Sequence, residues 1–292
     1  MKKYSRSFLL FIVLLLLLLC IVLFLAFFYK KNDEPFTAKN DQTICMIYNY
    51  YEKEDLYKEN FEYFLQHGIL DEIDYYIVIN GTSSVDIPTR SNIRVYVREN
   101  IGFDFAAYSY VIPLIEKTYD YYFFSNTSVR GPYLKNGADP KWYNRFIELF
   151  DENVHIVGTT INICTYEPLC GKFAPHVQSM FFVLDKQYLN ELIQDDFFNE
   201  EEINKMEMNT LIREKEVGLS KKAIEKGYNI NCILSKYKGL DYINIDKDIN
   251  DTSRTGDPYI ENGYFGETID PYEVIFFKTN RITPPPPTPN VV

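Results

Sequence analysis

Tyr119-Asp120-Tyr121-Tyr122-Phe123-Phe124-Ser125-Asn126-Thr127-Ser128-Val129-Arg130-Gly131-Pro132 passes from aromatic to polar within one short stretch. The aromatic run has no helical stripe and predicts a strand over Tyr119 to Phe124. Four small polar residues, a cation, a glycine and a proline then close it. In a parallel sheet, ligands bind outside the carboxyl ends of the strands, so Ser125 to Arg130 would stand at the edge of a cleft. The fold therefore turns on what surrounds this strand.

Upstream, strand and helix signals alternate. Thr43 to Tyr48 is a short apolar run, and Glu52 to His67 has helical composition with Gly68 as its stop. Asp74 to Ile79 predicts a strand ending at the turn pair Asn80-Gly81, and Ile93 to Val97 predicts another. Phe103 to Lys117 reads as a helix that Pro113 bends or breaks. Downstream, His155 to Thr159, Val177 to Leu184, Asn229 to Leu234 and Tyr272 to Lys278 read as strands. Glu201 to Lys226 reads as mostly helical, closed by Gly227. This order predicts an α/β fold, Rossmann-like, with a mostly parallel sheet flanked by helices.

Phe8 to Phe28 carries no charge and no proline. As a helix it would span about 31 Å, enough for a bilayer core. It is too long for the apolar region of a cleaved signal, and bulky residues follow it, so an uncleaved N-terminal transmembrane helix is expected. Lys2, Lys3 and Arg6 before it, against Lys30 and Lys31 after it, favour a cytoplasmic N-terminus with the domain luminal or extracytoplasmic. The expected layout is a cytoplasmic tail (1–7), a signal anchor (8–28), a stem (29–42), one catalytic-type domain (43–281) and a proline-rich tail (282–292).

Five of the 30 basic residues precede Asn32 and none of the 41 acidic ones does, so the remainder carries a formal charge of −16. That excludes nucleic acid as a partner, since phosphate backbones need a basic surface. It leaves room for a small phosphate ligand held by backbone amides, one or two cations or a metal. Of five cysteines, Cys45 and Cys232 lie in strand-like runs, and Cys164 and Cys170 could pair in an oxidising compartment. No spacing reads as a zinc site.

Four constellations can carry chemistry. Arg98-Glu99-Asn100-Ile101-Gly102-Phe103-Asp104 joins a strand end to a helix start, with Gly102 permitting close backbone approach and Asp104 near the N-cap. Ser125, Asn126 and Ser128 form the polar turn, beside Arg130 as a phosphate-type cation. His176, Gln178 and Ser179 precede an apolar strand and can hydrogen-bond sugar hydroxyls. Glu216, beside Val217 and Leu219, is the carboxylate best placed for partial burial and hence for work as a base. The plain alternatives are a helix cap at Asp104, a turn at Asn126, a core histidine at His176 and a solvated helix at Glu216. Asn80, Asn126 and Asn250 also begin N-glycosylation sequons.

Taken in order with Asp270-Pro271-Tyr272-Glu273-Val274-Ile275-Phe276, these segments resemble the rhamnan synthesis protein F family and its glycosyltransferase-A-type relatives, from about Cys45 to Arg281. The resemblance implies a glycosyltransferase-A-like fold and transfer of a hexosyl group from a nucleoside-diphosphate sugar to a glycan acceptor. It places the segment of Asn100, Gly102 and Asp104 near the nucleotide and Ser125, Asn126 and Ser128 at the Asp-x-Asp place; with Arg130 these are the expected donor residues, and His176, Gln178 and Ser179 are the expected acceptor residues. Glu216 is the candidate base if the reaction inverts the anomeric centre; a retaining reaction would not need it, and the sequence leaves both open. The resemblance also implies a divalent cation, Mn or Mg, at an Asp-x-Asp position. Thr127 stands where that acid is expected, which leaves Asp104 and Asp270 as carboxylates that could serve. The competing expectation is a degenerate glycan-binding or structural membrane protein.

Overall fold

Seven consecutive buried residues, Ile44–Tyr50, make the first strand the centre of the sheet rather than its edge. The computed structural model describes residues 42–166, 170, 173–253 and 255–282. The expected anchor lies outside them. Among the described residues no helix is long and apolar enough to cross a membrane.

In chain order the first half runs β1 (Ile44–Tyr50), α1 (Asp55–His67), β2 (Ile73–Asn80), β3 (Ile93–Arg98), α2 (Phe103–Val111), β4 (Tyr121–Asn126) and β5 (Val129–Arg130). The second half runs α3 (Asn144–Ile147), β6 (Val154–Gly158), β7 (Ile161–Cys164), β8 (Ala174–Val177), β9 (Phe181–Asp185), α4 (Lys186–Gln194) and α5 (Glu200–Ile203). It continues with α6 (Met208–Leu211), α7 (Gly218–Glu225), β10 (Asn229–Cys232), α8 (Pro271–Val274) and β11 (Phe277–Lys278). A π-turn, Ile212–Val217, joins α6 to α7.

The main sheet has the order β10-β6-β9-β4-β1-β2-β3. All its pairings are parallel except those of β9, which runs antiparallel to both β4 and β6. The expected α/β class with a mostly parallel, helix-flanked sheet is thus observed. The chain leaves β1 to one side for β2 and β3, then returns to its other side as β4. The reversal opens a crevice at the carboxyl ends of β1 and β4.

Alternation along β1 assigns the two faces. Tyr48 and Tyr50 point to α1, where Tyr48 stacks on Phe64 at 4.7 Å and Tyr50 on Phe61 at 4.3 Å. Gly68 caps α1, its N–H donating to the Phe64 carbonyl, and a side chain there would collide with the Phe64 ring, 2.4 Å from an added Cβ. On the opposite face Tyr108 of α2 meets Phe124 edge-on at 5.2 Å, and Phe124 stacks on Phe182 of β9 at 4.6 Å. The antiparallel strand is locked in by this aromatic packing, and cutting Phe182 to alanine costs about 3–5 kcal/mol.

Several elements depart from the sequence expectation. The helix expected to reach Lys117 ends at Val111 and passes into a 3-10 turn, Ile112–Leu114, where Pro113 lacks the N–H to continue. The run Val177 to Leu184 is two strands, β8 and β9, in different sheets. The expected strand Tyr272 to Lys278 starts as the helical turn α8. Asp270 Oδ1 accepts from the Tyr272 N–H at 3.0 Å, and Pro271 occupies the first helical position. Cys164 and Cys170 are joined by a disulfide. Burial pushes the free Cys232 thiol up to about 12.

Candidate active site

A cleft of about 500 Å³ lies at the carboxyl edge of the reversal. Asn49, Asn80 and Asn126, the ends of β1, β2 and β4, form its floor. Parallel register sets Asn49 beside Asn126 on the α2 face. Asn49 is buried, and its Oδ1 has no hydrogen-bond partner. A buried acceptor without a donor costs about 1–3 kcal/mol, which a ligand N–H or O–H would offset.

The loop from β3 to α2 forms one wall. Arg98 does not face the cleft. Its guanidinium donates to Asn80 Oδ1 (3.1 Å), the Ile101 carbonyl (2.9 Å), Glu200 Oε1 (3.2 Å) and Asn204 Oδ1 (3.1 Å). It ties the loop to α5 and leaves Asn100 exposed on the lining. Gly102 and Phe103 then both take left-handed backbone angles, φ 71° and 56°. Gly102 needs its missing side chain, because an added Cβ would lie 2.6 Å from Ala106 Cβ and 2.8 Å from Asn204 Oδ1. Phe103 is a true outlier, held in part by Asn80 Nδ2 donating to its carbonyl at 3.2 Å. Its ring is 41% exposed and lines the cleft.

Asp104, in the first turn of α2, has both oxygens engaged. Asn126 Nδ2 donates to Oδ2 at 2.7 Å and the Phe105 N–H to Oδ1 at 3.1 Å. Burial holds its carboxyl above the ordinary aspartate range despite those donors, and the nearby Glu216 charge adds to the effect. The Asn126 Oδ1 is engaged too, accepting from Ser128 N (3.0 Å) and Ser128 Oγ (2.6 Å).

Glu216 faces them from the π-turn. Inserting one residue into a helix re-aims the following side chains, and such turns recur at functional sites. Glu216 lines the cleft; its Oε1 accepts from the Ser179 N–H at 3.3 Å, and its Oε2 has no hydrogen-bond donor among the described residues. Its neighbour Lys215 is turned inward and donates to the Phe197 carbonyl at 2.5 Å. The helix start α6 contributes Met208, and Leu211 and Ile212 complete an apolar wall.

Of the residues singled out in the sequence, the cleft gathers Asn100, Asp104, Asn126, Ser128, Ser179 and Glu216. Gly102 shapes its wall from beneath. Ser125 is buried on the other face of the sheet, in register with Tyr48. Arg130 binds Asn60 Oδ1 (2.9 Å) and Glu59 Oε2 (2.8 Å) on α1, outside the lining. Gln178 Oε1 accepts from Thr160 Oγ1 at 2.7 Å, and His176 Nδ1 lies 3.0 Å from the Ala174 carbonyl. Both brace the β7–β8 hairpin region. Asp270 caps α8 and lines a different pocket with Tyr133, Lys135 and Arg145. The sequence reading missed Lys53 and Lys278, the two cations of the lining. They come from opposite ends of the domain, so no local pattern marks them as neighbours.

The donor set does not fit a divalent-metal site. Asp104 and Glu216 are the two carboxylates of the lining, and both Asp104 oxygens already accept N–H donors. Among the described residues no three His, Cys, Asp or Glu side chains gather as metal ligands. Manganese and magnesium prefer open anionic oxygens. At the expected acid position Thr127 is buried. Its Oγ1 accepts from the Tyr51 N–H at 3.4 Å, and its carbonyl accepts from Asn60 Nδ2 at 2.8 Å.

The sequon asparagines all face inward: Nδ2 donates to the Phe103 carbonyl from Asn80, to Asp104 from Asn126, and to Tyr237 Oη and the Gly263 carbonyl from Asn250.

Comparison with solved structures finds low-identity likenesses. A mannosyltransferase from Pyrobaculum calidifontis, solved with GDP-Man and Mn2+, is 11% identical at a TM-score of 0.41, covering 70% of this chain and 61% of that one. The glycosyltransferase GlyE of Streptococcus pneumoniae is 12% identical at 0.36, covering 65% and 45%. A 4-diphosphocytidyl-2C-methyl-D-erythritol synthase from Anaerococcus prevotii is 10% identical at 0.37, covering 70% and 90%. The chain therefore spans less than two thirds of the first two proteins. No curated protein sequence matches it. The profile of rhamnan synthesis protein F matches residues 88–250, a stretch that holds Asn100, Asp104, Asn126, Ser179 and Glu216. With more than half of its length matched, the chain belongs to the rhamnan synthesis protein F family.

Proposed function

We propose that the protein is a glycosyltransferase that moves a hexosyl group from a nucleoside-diphosphate sugar to a hydroxyl of a glycan acceptor. The observation that carries this reading is the cleft at the reversal between β1 and β4, with Glu216 facing Asp104 and Asn126 across it. Family membership and the mostly parallel α/β sheet with its reversal at the cleft support it.

The nucleoside lies along the wall formed by Asn100 to Asp104. Phe103 offers an exposed ring to the base. Asp104 takes a sugar hydroxyl, and Ser128 lies toward the diphosphate. The acceptor hydroxyl approaches Glu216 Oε2 near Ser179. Glu216 removes its proton as the oxygen attacks the anomeric carbon. The bond from that carbon to the diphosphate oxygen breaks, and the nucleoside diphosphate departs with the bonding pair. Attack opposite the leaving group inverts the anomeric centre.

A stretch able to span a bilayer, Phe8 to Phe28, would hold this domain at a membrane surface with its N-terminus cytoplasmic. The Cys164–Cys170 disulfide supports an oxidising, extracytoplasmic setting.

The test is release of nucleoside diphosphate from a panel of nucleotide hexoses with glycan acceptors. Wild type turns over at least one donor, and Glu216→Gln loses about 10²–10⁴-fold in kcat, the usual size of a general-base contribution. Wild type binding its donor without transfer would favour a degenerate glycan-binding protein.

A further inference from the structure

The diphosphate of a nucleotide-sugar brings two or more negative charges to a chain whose residues 32–292 already carry −16. Some cation must meet it. The expected acid position is neutral at Thr127, and each oxygen of Asp104 already accepts an N–H. Arg98 and Arg130 are both committed, to Glu200 (3.2 Å) and Glu59 (2.8 Å).

Two cations remain in the lining, Lys53 and Lys278. Neither makes an ion pair among the described residues. Both are mounted on segments fastened to the polar turn at Asn126 to Ser128. The Tyr51 N–H donates to Thr127 Oγ1 at 3.4 Å, which fixes the loop carrying Lys53. Lys278 lies in β11, paired with Val129 of β5, and the next N–H, of Thr279, donates to the Ser128 carbonyl at 2.9 Å. Asn60 Nδ2 joins the two arms, donating to the Thr127 carbonyl and to Thr279 Oγ1, each at 2.8 Å. Thr127 thus occupies the acid position as a structural hub that holds two lysine-bearing segments around one turn.

We propose that Lys53 and Lys278 form a clamp for the diphosphate of the donor, doing without a divalent cation the charge neutralisation that a metal would supply. The proposal rests on the glycosyltransferase reading and specifies how its leaving group is held. Both lysines lie outside the stretch matched to the family, residues 88–250. The clamp gives two ammonium groups to the bridging and terminal phosphate oxygens as the sugar leaves.

The experiment is calorimetric titration of the full-length chain with UDP, GDP and dTDP, and with the matching nucleosides, in EDTA and then in excess Mn2+. One diphosphate binds, with affinities in the two media within about threefold of each other. Lys53→Ala and Lys278→Ala each weaken it about tenfold, and Lys278→Arg recovers most of the loss, as charge-assisted contacts of this kind do. The nucleoside binds all variants equally, a readout that mere misfolding would not preserve. An affinity raised more than about tenfold by Mn2+, or lysine variants that bind the diphosphate like wild type, overturns the clamp while leaving the transferase reading in place. Failure of every diphosphate and nucleoside to bind overturns both.

Discussion

The two halves of the sheet are built differently. From β1 to β4 the strands pair with one another in parallel, helices join β1 to β2 and β3 to β4, and the strand ends deliver Asn49, Asn80 and Asn126 to one edge. From β6 to β10 an antiparallel strand interrupts the order, and the side chain facing the cleft comes from a π-turn rather than a strand end. A regular βα framework can present a fixed rim for a ligand with little invention. A group that must reach across that rim needs an irregular element to carry it. The first half reads as the donor side and the second as the side that supplies the reaction.

That division can be broken by substitutions that separate binding from turnover. The largest effect belongs to Glu216→Gln. It lowers kcat about 10²–10⁴-fold while donor affinity, read by titration, stays within about twofold. Equal losses in affinity and turnover would erase the distinction between the halves. Gly102→Ala attacks the other side. A left-handed backbone and an Ala106 contact at 2.6 Å make it destabilising by about 1–3 kcal/mol, and donor affinity falls with the loop's geometry. Denaturant melts and titration of the same sample check both.

Asp104→Asn is finer. Burial, with Glu216 nearby, raises the folded-state pKa of Asp104 above its unfolded value. Its contribution to stability is therefore present at low pH and lost as pH rises through the folded value. The neutral amide should keep or raise the melting temperature at pH 8 while weakening donor binding about tenfold. A fall at pH 8 and no change near pH 4 would reverse that sign.

The smallest effect lies in the second half. His155 Nδ1 sits 2.6 Å from Asp185 Oδ2, a hydrogen bond that raises the imidazole pKa against its burial. That stabilisation is complete below the ordinary histidine pKa and disappears as pH climbs through the raised value. His155→Gln should cost more melting temperature at pH 6 than at pH 9, with donor affinity untouched.

How much could be read from the chain follows the same division. The strands around the first half were legible because apolar runs end in Asn-Gly or Ser-Asn pairs, and because β1 and β4 are buried over most of their length. The second half hides its topology. Val177 and Phe181 look continuous in hydropathy, yet Gln178 to Met180 turns the chain from the β7–β8 hairpin into the main sheet. Nothing local distinguishes an antiparallel strand from a parallel one when both are apolar. Helix α4 also went unread, although Asp185 caps it by accepting the Tyr188 N–H at 2.8 Å. Glu216 was legible as a carboxylate beside apolar residues. Lys53 and Lys278 were not, because only the β5–β11 pairing carries the C-terminal segment back to the polar turn.

The most direct test of the donor cleft is thermal unfolding of the full-length chain, in detergent, with a panel of nucleoside-diphosphate sugars. A ligand that binds only the folded state raises the melting temperature by an amount that grows with the logarithm of its concentration over Kd. The account predicts that one donor raises it for wild type and for Glu216→Gln alike, and that the shift shrinks in Gly102→Ala and Asp104→Asn. A panel without any shift, or a shift of equal size in all four proteins, would contradict a donor site at the edge of β1 and β4.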